Sequence, residues 1–281
     1  MFNCVTGGLA HPLIHLGYAY ELNSREVAME ALALGASCYD PHLASLLDAN
    51  MKTNANATAN PLTYSTSNLF EVFARVSADT RLKDAFTDPG ANNLSKLLNT
   101  PNLLAILLEH FNAWKITNPK EQFEQSQQLA TAVLISTAPS VGGPGYDFFL
   151  VHLLTSSHAV RIMIPFLDAR YHLPLVREWW LIAVAIYIAQ LRPVVKLDYV
   201  REVNLEGRNW AWAEKQAIEG KHSVNAHFVK AVRAMKEAAK VWGDKEDFYL
   251  KAAVKLVSEF EGWGGFGPED EEEMTDIKRK Q

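Results

Sequence analysis

The sequence predicts an all-α fold, a single multi-helix domain, and three observations carry that prediction. Apolar residues recur at helical spacing along most of the chain, and no segment shows a convincing period-2 alternation. The stretch from Leu175 to Leu191 is apolar on nearly every face, which marks a central helix buried all round. Beyond Gly267 the pattern ends in an acidic run, Pro268 to Gln281, read as a disordered tail. The predicted organisation is therefore a helical domain over residues 1–267 and a tail over 268–281.

Each element follows from local signals. Pro12 with Leu13, Leu16, Gly17 and Tyr20 reads as a helix with proline in its first turn. Ser24 reads as the N-cap of the next, with Val27, Ala28, Ala31, Leu32 and Leu34 behind it and Gly35 near its stop. Asp48 to Pro61 reads as a polar loop. Asn68 to Arg75 and Asn93 to Leu98 are short helices separated by the break Asp88-Pro89-Gly90. Leu103 to Trp114 and Lys120 to Ser136 are helices. Pro139 to Gly145 is a glycine-rich loop leading to an apolar helix from Tyr146 to Ser156. After the central helix, stopped by Pro193, come Arg208 to Glu219, the amphipathic His227 to Val241, and a last helix from Phe248 to Phe260.

Composition excludes several classes. Net charge is −5, from 27 basic and 32 acidic residues. The tail alone holds six acids and three bases, leaving a body close to neutral, without an electrostatic footprint for nucleic acid. The apolar run Trp179 to Leu191 is short of the ~20 residues a bilayer demands, so no membrane partner is expected. Met1 to Gly8 lacks a signal-peptide pattern, and Cys4 and Cys38 form no CxxC. A cytoplasmic protein in a reducing compartment is the baseline.

Most catalytic signatures are absent: no GxSxG, no Walker motif, no GxGxxG after a strand, no HExxH. Gly142-Gly143-Pro144-Gly145 reads as a helix-connecting turn, since no strand precedes it and no Lys-Ser/Thr follows. The nine histidines are more informative. His11 and His15 lie four apart, which on a helix puts both imidazoles on one face, able to share a metal. The alternative is a helix-start histidine plus one bonded to a backbone carbonyl. His152 lies inside the apolar segment 147–154 and must be hydrogen-bonded or metal-bound, because an unpaired polar group in a core costs about 1–3 kcal/mol. His158, about 240° further round the helix, reads as closing the helix end. His227 and Lys230 share a face; an ammonium ligates no metal, so spacing alone leaves Lys230 a solvated lysine. Arg161, Arg192 and Arg233 read as salt-bridge partners or anchors for an anionic substrate group. Trp179, Trp180, Trp210 and Trp212 read as core, or as stacking surfaces for a flat substrate.

Four segments carry a resemblance. Gly7 to Glu21 (GGLAHPLIHLGYAYE), followed by Glu30 to Leu34, resembles a hallmark segment of the questin oxidase-like family. Asp147 to Ser157 (DFFLVHLLTSS), Tyr187 to Pro193 (YIAQLRP) and His227 to Met235 (HFVKAVRAM) resemble that family in the same order. The resemblance implies a helical oxidoreductase of fungal secondary metabolism that opens an anthraquinone or related polyketide ring with O₂.

It further implies His11, His15 and His152 as catalytic residues and metal ligands, with Lys230, in carboxylated form, as an additional ligand. Such an imidazole-rich set suits Fe(II), with zinc open on ligand type alone. Two alternatives stand beside it. One is an NADPH-dependent, metal-free Baeyer–Villiger-type monooxygenase using the histidines as acid–base groups. The other is an inactive helical scaffold that binds an aromatic ligand. No flavin, haem or nicotinamide fingerprint is visible; NADPH enters through the resemblance alone. The family also carries a histidine-rich motif ahead of the segment beginning at Gly7. Only six residues precede Gly7 here, so the expectation is an N-terminally shortened form with an incomplete ligand set and exposed apolar surface.

Overall fold

The computed structural model describes residues 5–53, 63–141, 145–268 and 270. They include thirteen α-helices, one of which is the long central helix buried within the fold. In chain order they are α1 (His11–Leu22), α2 (Arg25–Ser37), α3 (Pro41–Thr53), α4 (Leu69–Ala78), α5 (Asn92–Asn99), α6 (Pro101–Ala113), α7 (Pro119–Ile135), α8 (Val151–Met163), α9 (His172–Ala189), α10 (Asp198–Arg201), α11 (Trp210–Glu219), α12 (Ala226–Trp242) and α13 (Phe248–Glu259). Two two-residue strands, β1 (Tyr146–Asp147) and β2 (Trp263–Gly264), pair in parallel.

Side-chain caps fix many helix starts. Ser24 Oγ accepts the Val27 amide ahead of α2, as its position predicts. Asn68, Asn118, Asn209 and Asn225 cap α4, α7, α11 and α12 in the same way. Every residue of α9 from Leu175 to Ala189 is buried, Trp179 and Trp180 among them, so the uniformly apolar segment is a core helix. With the 3₁₀ turn before it, this helix spans 21 residues, long and apolar enough to cross a membrane, yet 83% of that window is buried within the fold. Trp179 Nε1 donates to Leu153 O and Trp180 Nε1 to Phe111 O, locking both indoles into packing roles.

The structure departs from the sequence reading at two segments. Residues 48–53, read as the start of a polar loop, continue α3; the rest of that loop, 54–62, lies outside the described residues. The apolar helix begins at Val151, not Tyr146, and runs on to Met163. Asp147 is the reason: its Oδ1 accepts the Phe149 and Leu150 amides, 2.8 Å each, and turns the chain before the helix starts. The residues ahead of it pair as β1, with Phe148 N donating to Gly264 O at 2.9 Å. Residues 142–144 of the glycine-rich turn lie outside the described residues, as do 269 and 271–281 of the acidic tail. At the start of that tail, Asp270 accepts the Gly267 and Ala91 amides. Apolar side chains are exposed on the α1–α2 hairpin, Leu22, Met29 and Leu32 being each more than half exposed.

Two backbone features place the helix that begins at His11. Gly8, Leu9 and Ala10 all have positive φ (55°, 56° and 62°), a left-handed turn that costs the two non-glycine residues roughly 1–2 kcal/mol each. Further along, α1 meets α8 at Gly17, where an added Cβ would lie 2.5 Å from both Cα and Cβ of Ala159. Nothing flexible stands there to give way. Gly17→Ala is therefore expected to push α1 off α8 and destabilise the fold by about 1–3 kcal/mol. A thermal melt reads this directly: a fall of several degrees is expected, and a midpoint within about a degree of wild type would contradict the close contact.

Candidate metal centre

Three helices bring three imidazoles together. His11 opens α1, His152 lies in the first turn of α8, and His227 in the first turn of α12 behind the Asn225 cap. One ligand atom from each lies within 4.8 Å of the other two. Ring centroids are 4.9 Å apart for His11–His152, 5.0 Å for His152–His227 and 5.8 Å for His11–His227. Around one ion with metal–nitrogen bonds of about 2.1 Å, tetrahedrally placed nitrogens lie about 3.4 Å apart, so the three rings must draw inward to share an ion.

The hydrogen bonds prepare these rings as ligands. His152 Nδ1 lies 2.8 Å from Phe148 O and His11 Nδ1 2.6 Å from Gly8 O. A carbonyl only accepts, so each Nδ1 carries the proton and each Nε2 presents a bare lone pair, the tautomer that ligating histidines adopt. Nε2 of His152 and of His227 is buried without a hydrogen-bond partner. Burial lowers the pKa of all three. His227 falls to about 4, with Lys230 and His11 adding to the effect; His152 falls well below the ordinary range, helped by His11 and His227. For His11 the same desolvation outweighs the hydrogen bond to Gly8. Three neutral imidazoles drawn together, two of them with a buried and unpartnered Nε2, fit a divalent cation better than they fit a core. The other buried histidines differ. His110 is bonded between Tyr64 and Asp79, and His158 between Glu21 and Arg161.

Of the residues the sequence singles out, the structure brings the His11 and His152 rings together, while the His15 ring lies apart from them. Four residues advance a helix by 400°, so the His15 ring is rotated 40° from His11 and lies one turn further on. That offset turns it towards α2, where Nδ1 lies 3.3 Å from the Glu30 carboxylate and the side chain is 31% exposed. His227 takes the third place. The available signal for it was Asn225, a cap residue that sets His227 in the first turn of α12. Lys230, one turn on, is half-buried, with its pKa lowered by desolvation. Its charge acts on His11, His152 and His227, and it forms no hydrogen bond or ion pair among the described residues.

An aromatic wall closes the site. The Phe148 ring leans on His152 at 5.1 Å and on His227 at 4.7 Å. Trp263 and Phe266 pack against Phe148 from the segment carrying β2. That segment is held by the β1–β2 pair and by Gln190, whose amide nitrogen, in the orientation its neighbours require, donates to Gly265 O and Asp147 Oδ2. Burial pushes the Asp147 carboxyl up to about 7, against the pull of the Leu150 and Phe149 amides. The four tryptophans singled out from the sequence are not in this wall: Trp179 and Trp180 are core, Trp210 is partly buried against that core, and Arg208 covers Trp212. Of the three arginines, Arg161 donates to His158, Arg192 to Leu82 O, and Arg233 pairs with Glu21.

Fold and site thus define a helical protein with a three-imidazole candidate metal centre under an aromatic wall. The sequence profile of the questin oxidase-like family matches residues 1–235, and the chain belongs to that family. It is 25% identical over 254 residues to a Baeyer–Villiger oxidase of Pestalotiopsis microspora, covering 85% of this chain and 55% of that protein. It is 27% identical over 250 residues to a questin oxidase of Aspergillus terreus, covering 83% of this chain and 53% of that protein. The chain spans about half the length of these curated relatives.

Proposed function

We propose that the chain carries the metal centre of an O₂-using oxidoreductase of questin oxidase type, which opens the ring of an anthraquinone or related aromatic polyketide. The observation that carries this reading is the convergence of the His11, His152 and His227 ligand atoms within 4.8 Å, two of their nitrogens buried and unpartnered. The names of the relatives, both oxidases, supply the reaction class. A divalent iron held by such imidazoles would supply Lewis acidity and one-electron chemistry for O₂.

The residues of the chain have definable parts in this reading. The Phe148 and Gly8 carbonyls hold the His152 and His11 rings in the ligating tautomer. Lys230 places beside the three rings an amine with no partner among the described residues, which either adds CO₂ with release of a proton, giving a carbamate oxygen as a further ligand, or, as a cation, faces a substrate phenolate. Phe148, Trp263 and Phe266 exclude water and offer apolar faces to a flat ring system.

The test is oxygen uptake by the Fe(II)-loaded protein with a hydroxyanthraquinone, followed by the product mass. Uptake that depends on both iron and substrate, and that a chelator abolishes, is expected. Turnover that is strictly NADPH-dependent and indifferent to chelators would overturn the metal reading in favour of the metal-free monooxygenase.

A further inference from the structure

The helices that carry the three imidazoles are tied together a second time, below the site. Glu21, in the last turn of α1, is only 12% exposed on its side chain. His158 Nε2 of α8 lies 3.2 Å from its Oε2, and Arg233 of α12 lies 3.0 Å from its Oε1. Arg161 donates to His158 Nδ1 at 3.1 Å. A guanidinium only donates, so His158 Nδ1 is bare and its Nε2–H donates to Glu21. The direction of every bond is fixed: Arg161 to His158, His158 to Glu21, Arg233 to Glu21. Burial alone would raise the Glu21 pKa, but the hydrogen bonds and charges of His158 and Arg233 hold it at about 2. The carboxylate is therefore ionised across the working pH range.

A buried ion pair is an expensive way to hold helices together, and apolar side chains of similar volume often stabilise as well or better. What it adds is a single register, because a carboxylate bonded from two sides tolerates no slide of either partner. His158 lies six residues past His152, and Arg233 six past His227, about 9 Å down each helix. Glu21 lies ten past His11 on α1. The contact of Gly17 with Ala159 lies between the two layers on α1 and next to His158 on α8.

We propose that Glu21 is a positioning residue for the three-imidazole site, the pin through which α1, α8 and α12 are held in the register that converges His11, His152 and His227. The consequence for metal binding rests on the function proposed above; the convergence itself does not. None of the three imidazoles is hydrogen-bonded to Glu21, so any effect on them travels through the helices.

The test compares Glu21→Gln, Arg233→Met and Arg233→Lys with wild type. One readout is a Co(II) titration followed by the d–d absorption band. The other is the ring-nitrogen resonances of ¹⁵N-histidine-labelled, metal-free protein. Glu21→Gln is expected to keep its helical circular dichroism, to bind Co(II) about 10–100-fold more weakly, and to change the shape of the d–d band. The ring resonances of His11, His152 and His227 are expected to move in the metal-free protein. Arg233→Met, which removes only the half-exposed arm, keeps the fold in the event that Glu21→Gln loses it, and is expected to shift the same signals by less. Arg233→Lys, which keeps a cation at the carboxylate, is expected to restore both readouts. A folded Glu21→Gln or Arg233→Met protein with wild-type Co(II) affinity, band shape and ring resonances would overturn the proposal and leave Glu21 a stabilising contact alone. Wild-type protein that binds no Co(II) would overturn the metal reading, while the ring resonances still decide the positioning role.

Discussion

Replacement of His227 by alanine is expected to abolish metal binding, while replacement of His15 by alanine leaves it intact. His227 contributes one of three converging nitrogens, and its Nε2 is buried and unpartnered. Its removal takes away a ligand rather than a group that orients one. The loss should therefore exceed the roughly 10–100-fold typical of orienting groups. His15 is half-buried against Glu30 one turn further along α1, so its loss should change affinity by less than about tenfold. Metal content by mass spectrometry, on both variants loaded side by side, decides the matter. Loss of metal from His15→Ala with retention by His227→Ala would mean that the helices pair their histidines differently from the arrangement described here.

The second large effect concerns stability. Glu178 is fully buried in α9, and neither carboxylate oxygen has a hydrogen-bond partner among the described residues. Burial pushes its pKa up to about 8, with the Asp48 charge adding to the push. The unfolded chain gives up this proton near pH 4.5 and the folded chain only near pH 8. Folding therefore binds a proton between those values, and stability falls as pH rises through that window. The contribution is fully present below the unfolded pKa and lost above the folded one. Glu178→Gln removes the ionisation and keeps the shape. It is expected to stabilise the protein by on the order of a few kcal/mol at pH 8.5, and by much less at pH 5.5. Denaturant titrations at the two pH values measure it; an equal effect at both, or destabilisation at pH 8.5, would show that Glu178 is ionised and paired in the folded state.

Local signals placed most helices and fewer of the contacts between them. Ser24 with the apolar spacing behind it marks α2, and the all-round apolar segment marks α9, because both signals lie within one element. From sequence, Tyr146 and Asp147 read as part of a helix because their apolar neighbourhood suits helix and strand alike. What separates the two is Trp263 and Gly264, more than a hundred residues away in sequence. The same distance hides the aromatic wall, since nothing local says that Trp263 and Phe266 return to cover Phe148.

The candidate site divides along similar lines. An imidazole inside so apolar a segment demanded a partner, which made His152 legible. His11 and His15 share a helix face, but which neighbour each ring meets depends on whether α8 or α2 packs on that side. His227 stands next to Asn225 and Lys230 in an amphipathic helix, and spacing alone gives a lysine no reason to leave solvent. Packing supplies that reason, by half-burying Lys230 beside three neutral rings.

The most direct test of the central claim is an anomalous-scattering map from a crystal of this protein loaded with Fe(II) or Co(II). The account predicts one strong peak within about 2.0–2.3 Å of a ring nitrogen on each of His11, His152 and His227. No peak there, or a peak between His15 and Glu30 instead, would contradict it.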